Sequence, residues 1–396
     1  MATGRPITVI ATGELMLCMD DDPEPYFEPT ATYTRAADLV IGHLEFMHTR
    51  SPQPAWENRL PAPDPDRLRG LLAGNFSAVT LAGNPAYTYG PPGIQDTIAW
   101  LDEHGIAHTG AGATIDHAVQ PAVFDQDGTR IGLLSYDCIG VEANAATATK
   151  PGVAYVDVIT HYEPGRITAG PPQVFTWPEP WSLQAMREEI AALKRTCDLV
   201  LVGLHMGLVH FAAARNEIRL AEYESAVSRA AVEAGADVVL GNHAHVLKGV
   251  EFYRGKPIFY CLGNYVTAFP WESHFAFRSQ PMTTRMRSRL REQPGSAAQY
   301  VDPEYPNYPF WPESRNAVLL KIQIEGGAVT QLSYVPCLVD PQGVPRPVRR
   351  AEGGERIAEY VQRATDGADL NADYAWADDE LVISERRAPS TRTVTR

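Results

Sequence analysis

Short apolar runs recur along the chain, each closed by glycine or a polar residue, and stretches with helical spacing lie between them. A β-branched run at 7–11 predicts a first strand, and runs at 38–42, 77–81, 131–136, 198–204 and 238–240 predict further strands. The run at 198–204 is almost wholly apolar, as expected of a strand covered on both faces. Helices are predicted at 66–73, 93–104, 181–195, 218–234 and 351–364. In the second, Ile94, Ile98 and Leu101 share one face; in the third, Leu183, Met186, Ile190 and Leu193 do; the fourth closes at Gly235. Hairpins are predicted at 249–260, turned by Arg254-Gly-Lys256, and at 317–336 around Gly326-Gly327. Two Pro-rich stretches, 52–65 and 164–180, read as irregular connectors, and 143–149 reads as a small polar loop. The segment 266–316 has many aromatics, Arg and Pro and little periodicity, the character of a substrate loop or lid. Strands alternating with helices predict an α/β fold.

Composition narrows the class without naming a reaction. The 396 residues are 44% hydrophobic and 21% charged, ordinary for a globular chain with an ample core. A formal charge of −14 argues against a nucleic-acid partner. The five cysteines are scattered without C-x-x-C spacing, which predicts free thiols in a reducing compartment. No stretch has the character of a signal h-region or a membrane span, so the expectation is a cytoplasmic protein with no membrane partner.

The candidate chemistry sits where strands end. Glu14, His43 and Glu45, Asn84, His205, and His243 with His245 each follow a short apolar run. In a sheet of same-sense strands such ends gather along one edge. Carboxylates, an Asn and several His form a mixed oxygen and nitrogen set. That set suits one or two divalent ions among Zn, Mn, Fe, Co, Mg and Ca better than it suits a thiolate site.

These blocks, in this order, resemble the CapA family of poly-γ-glutamate or capsule synthesis proteins. The family's G-D-x-M-L corresponds to Gly13-Glu14-Leu-Met-Leu17, and its N-L-E to His43-Leu-Glu45. Its A-N-N-H-x-x-D-x-G corresponds to Ala82-Gly-Asn84-Pro85-Ala-Tyr-Thr88-Tyr-Gly90. The T-x-x-x-L, G-A-G, H-x-G and G-x-H-x-H blocks correspond to Thr97 with Leu101, Gly110-Ala-Gly112, His205-Met-Gly207 and Gly241-Asn-His243-Ala-His245. The last block, E-x-Y-x-G-K-x-I-x-Y-x-L-G-N, falls at 251–264, so the resemblance spans about 7–339.

The resemblance implies a metallophosphatase-like sandwich of two mixed β-sheets flanked by helices, with the site along one edge. It implies one domain over 1–340; beyond it, the helical spacing at 351–364 predicts a helical extension at 341–385, and 386–396 reads as a basic tail. The resemblance implies metal ligands at Glu14, Glu45, Asn84, His205, His243 and His245. Three departures bear on the reaction. Pro85 stands where the family pattern has the His that protonates a leaving group, Glu14 replaces an Asp, and His43 replaces an Asn. A proton donor contributes ~10²–10⁴-fold in rate, so hydrolysis without it should be slow.

These departures resemble an offshoot of the family, epimerases that invert the C-terminal Trp of a lasso-peptide precursor. That likeness implies a precursor peptide ending in Trp as partner. An α-proton beside a carboxylate is weakly acidic, and a divalent ion gripping that carboxylate lowers the cost of removing it. His43 is the first expected acid/base and His274 the second, with Phe269, Trp271, Phe275 and Phe277 as a possible aromatic wall. A hydrolase of phosphoester or peptide-like bonds and a non-catalytic polymer-binding protein are the rival expectations.

Overall fold

The computed structural model describes residues 5–51, 62–163, 173–208, 219–270, 302, 304–305, 308, 310 and 312–386. Two mixed sheets face each other. In the larger, the strands Ile7–Leu17, Leu39–Leu44, Ala78–Thr80 and Ala107–Thr109 run parallel, and Asn264–Ala268 joins the far half of the first in parallel. On the other side of Ile7–Leu17 lie Asn316–Glu325 and Ala328–Val339, both antiparallel to their neighbours. The smaller sheet has Thr129–Asp137, Leu199–Met206, Val238–His243 and Lys256–Phe259 in parallel, with antiparallel strands Ala122–Gln126 and Val250–Tyr253 at its edges.

Alternation along each strand sends neighbouring side chains to opposite faces. Val9, Ala11, Leu39, Ile41, Leu133, Leu199, Leu201, Val238 and Leu240 point between the sheets and form one core. Their neighbours Ile10 and Val40 pack outward against helix Gly90–Glu103, through Ile94 and Leu101. On the opposite flank Leu134, Val200, Val202 and Val239 meet helices Pro180–Lys194 and Glu222–Ala234, through Met186, Ile190, Val227 and Ala231. The result is the expected sandwich of two mixed sheets flanked by helices.

Several elements differ from the sequence reading. The first strand does not stop at 11 but continues to Leu17, held by its new partner Asn264–Ala268. That partner takes 266–268 out of the irregular segment. Likewise His43 and His205 lie inside strands, because pairing continues one or two residues beyond the apolar run. The supposed connector 164–180 contains the strand Gln173–Pro178, paired with Val158–Glu163. Its Val, Phe, Thr and Trp outweigh the flanking prolines. At the C-terminus the expected helix is present as Gly354–Gly367. It is followed by a hairpin, Ala372–Ala377 and Glu380–Glu385, which extends the larger sheet beside Ala328–Val339. Leu381 and Ile383 enter the core between the sheets, so this segment is not solely helical. Arg254 and Gly255 both have positive φ, 52° and 73°, the two-residue hairpin turn expected there. Among the described residues no helix is long and apolar enough to cross a membrane. The five cysteines are free.

Candidate metal centre

The parallel strands of both sheets end at one edge. Glu14, His43 and Glu45 come from the larger sheet and are buried. His205, His243 and His245 come from the smaller sheet and are also buried. Asn84 follows Ala78–Thr80 and is the exposed member, which marks the open side of the centre.

Backbone shape delivers these groups. The pairing of Ile7–Leu17 slips between Ala11 and Glu14, and this irregularity turns Glu14 inward. Gly13 permits a close crossing there: a Cβ on it would lie 2.1 Å from the Gly263 carbonyl oxygen. His243 and His245 have φ of 91° and 55°, values that side chains with a Cβ rarely adopt. The His243 amide donates to the Glu14 carboxylate, which fixes this turn. Strain of this kind persists where the surroundings hold it, commonly at functional sites.

The donor atoms converge. His43, Glu45 and His205 offer donors within 4.8 Å of one another, and so do Glu14, Glu45 and His245; the two groups share Glu45. His43 Nε2 lies 3.4 Å and His205 Nε2 3.9 Å from Glu45 Oε2. His205 Nε2 also lies 2.8 Å from Asn84 Oδ1 and 3.1 Å from His243 Nδ1. His245 Nδ1 lies 2.5 Å from Glu14 Oε2 and 2.9 Å from Asn264 Oδ1. His43 Nε2, Glu45 Oε2 and His205 Nδ1 are buried without a hydrogen-bond partner. A proton can reconcile one pair of facing acceptors; a cation reconciles the whole set. Donors bound at about 2.0–2.2 Å to one ion lie roughly 3 Å apart, so these residues fit a divalent metal.

Burial and mutual charge set the protonation of the cluster. Burial works against charge on Glu14, but His245 beside it outweighs burial and holds the carboxyl below its usual range. Conversely, burial would lower His245, and Glu14 instead pushes it up to about 9. Glu45 is raised, by burial first and by the Glu14 charge second. His243 falls to about 3 through burial and then the charge of His245. His205 falls well below its ordinary value through burial and its histidine neighbours.

Supporting groups fix the rings. Asn264 donates from Nδ2 to the Tyr308 hydroxyl at 2.9 Å, and Tyr308 donates to the Ser314 carbonyl at 2.6 Å. This leaves Asn264 Oδ1 to hold His245. Phe310 lies over the same imidazole, 4.4 Å between ring centroids. Asn144 donates to the Asn84 carbonyl at 2.9 Å.

Every expected ligand therefore meets at one edge, and His43 joins them. His274 lies outside the described residues, as do Trp271, Phe275 and Phe277. Phe269 is buried and stacks on Phe46 at 4.9 Å, as part of the core. One neighbour escaped the sequence reading. Asp137 is buried at the end of Thr129–Asp137, in register with His205. Burial pushes its carboxyl up to about 7, against amide donors Ile139 and Gly140. The rule that found the others, a polar residue closing an apolar strand, applies equally to it.

Fold and site together define an α/β sandwich with a carboxylate and imidazole cluster where both sheets end. The chain belongs to the family of bacterial capsule synthesis proteins (PGA_cap), whose model matches residues 3–268. It is 26% identical over 249 residues to the PGA biosynthesis protein CapA of Bacillus subtilis (strain 168), covering 62% of this chain and 57% of that one. It is 25% identical over 249 residues to the capsule biosynthesis protein CapA of Bacillus anthracis, covering 62% and 54%. The chain thus spans little more than half the length of these curated relatives. A solved phosphatase from Mycoplasma pneumoniae covers 85% of this chain and 95% of its own, at 14% identity and a TM-score of 0.46.

Proposed function

We propose that this chain is a metal-dependent enzyme acting on a peptide-like chain that presents a carboxylate to the centre. The observation that carries the metal is the convergence of buried acceptors with no hydrogen-bond partner. Glu14, Glu45, Asn84, His205, His243 and His245 would hold one or two divalent ions. A bound ion supplies Lewis acidity toward the substrate carboxylate or carbonyl. Asn264 orients His245, and the exposed side of Asn84 leaves the approach.

Two finer readings have separate support. Membership of the capsule synthesis family, with relatives named for PGA and capsule biosynthesis, favours action on a poly-γ-glutamate-like chain, by hydrolysis or in its assembly. Pro85 favours a different reaction. It has no proton to give where the family pattern has the leaving-group acid, and this favours inversion at Cα of a C-terminal residue, such as the Trp of a precursor peptide. Inversion needs proton transfer on both faces of Cα, with His43 and His274 as the candidates.

One experiment separates them. Metal-loaded protein is incubated in heavy water with peptides ending in Trp and, separately, with poly-γ-glutamate. A deuteron at the terminal Cα together with D-Trp establishes inversion. Shortened polymer without exchange establishes hydrolysis. Neither change, with ion bound, overturns the enzyme proposal.

A further inference from the structure

We propose that His43 is an additional nitrogen donor of the metal centre, admitted by the missing side chain at Gly83. It makes the His43–Glu45–His205 end select a borderline cation such as Zn or Co over a hard one such as Mg or Ca. The inference rests on the metal-dependent reading; it adds a residue and a selectivity to it and takes His43 out of the acid/base candidates for inversion.

The tautomer is the first argument. The Thr80 hydroxyl donates to the Gly42 carbonyl at 3.4 Å, so its oxygen is left to accept from His43 Nδ1, 2.9 Å away. A neutral ring protonated at Nδ1 carries its lone pair on Nε2. That lone pair is buried, unpartnered and 3.4 Å from Glu45 Oε2, itself an unpartnered acceptor. Two facing acceptors in a closed space call for a cation between or beside them. A ligating imidazole whose other nitrogen is held by an oxygen is the usual arrangement in metal sites.

Space is the second argument. A Cβ at residue 83 would lie 3.1 Å from His43 Nε2 and 3.4 Å from His205 Nδ1. A side chain at 83 would press on the imidazole, so His43 and Gly83 are sterically complementary. The ring is also packed on His205, with centroids 4.7 Å apart and planes at 31°, and cannot swing to another partner.

Selectivity follows from donor type. His43, Glu45 and His205 present two nitrogens and one oxygen, with His243 Nδ1 adjoining. Glu14, Glu45 and His245 present two oxygens and one nitrogen. Imidazole-rich sets favour Zn and Co; carboxylate-rich sets suit Mg, Ca and Mn.

The test measures ions, not turnover. Metal-stripped protein is titrated with Zn and with Mn against a competing chelator, and bound ions are counted by plasma mass spectrometry. His43→Asn should weaken the tightest Zn site by about tenfold or more while changing Mn affinity little. Co-loaded His43→Asn should also show an altered visible absorption. Gly83→Ala, which keeps the imidazole but crowds it, should weaken Zn in the same direction, so the test stands if His43→Asn folds poorly. Unchanged Zn affinity and Co spectrum in both variants overturn the ligand role, and loss of Cα exchange alone would then make His43 an acid/base. Wild-type protein that binds no ion overturns this inference and the metal reading together.

Discussion

Individual residues in this molecule are held in states they would not choose in water. His48 is fully buried, its Nδ1 and Nε2 each 3.0 Å from a backbone carbonyl, Phe46 O and Leu17 O. Burial outweighs those carbonyls and lowers its pKa from 6.5 to about 4. Between these values the unfolded chain binds a proton that the native state does not. The stability held by neutral His48 is therefore complete above about pH 6.5 and is lost as pH falls through about 4. At ~1.4 kcal/mol per pH unit this amounts to about 3 kcal/mol. Urea unfolding at pH 7 and pH 4.5 should show His48→Gln losing about 2.4 kcal/mol less than wild type, the part of that loss reached by pH 4.5; equal losses would remove His48 from the acid response. His243 illustrates the same point at the centre. Its strained backbone is fixed by the hydrogen bond its amide N–H donates to Glu14 and does not depend on the imidazole. His243→Ala should fold and lose bound ion, and metal content equal to wild type would take His243 out of the ligand set.

At the scale of elements, glycines let the two sheets approach where the centre forms. Gly13 and Gly241 each face a backbone carbonyl at a distance no Cβ tolerates, 2.1 Å to Gly263 O and 2.2 Å to Tyr260 O. The stretch carrying these carbonyls threads between the strand ends. Gly13→Ala must push backbone apart, at a cost of about 3 kcal/mol or more, and should drag Glu14 from its partners. Gly105 is a control: its φ is +68° but a Cβ there meets nothing within 4 Å, so Gly105→Ala should cost only about 1–2 kcal/mol. Denaturant midpoints that fall equally in both variants would show that the crossing is not tight. These relations explain what the sequence could reveal. Strand ends bearing Glu14, Glu45, His205 and His243 were legible because apolar runs and a closing polar residue are local signals. Thr80 as the partner of His43, and Gly83 as the space beside it, were not legible, since their meaning depends on contacts between strands far apart in the chain. The hairpin Ala372–Glu385 was missed for a related reason: its burial comes from Leu381 and Ile383 against a distant strand, which no local alternation announces.

At the scale of the molecule, the two main sheets bring their polar strand ends together along one edge. The core between them is apolar, while the proposed ligands divide between the sheets, Glu14, His43, Glu45 and Asn84 from one and His205, His243 and His245 from the other. A cation there would add to the few polar contacts that already cross between the sheets, among them the His243 amide to Glu14, His245 to Glu14 and His205 to Asn84. Without it, His205 Nε2 and Glu45 Oε2 face each other across the two sheets at 3.9 Å with no charge between them. Ion binding should therefore stabilise the native state by RT ln(1 + [L]/Kd), about 2.7 kcal/mol at a hundredfold excess over Kd, and chelation should reverse it. The gain should also be shared. Amide hydrogen exchange should slow together in Leu39–Leu44 of the larger sheet and Leu199–Met206 of the smaller when Zn or Mn is added. Slowing confined to one sheet would mean that the ion is held from one side only, and the division of ligands argued here would fail.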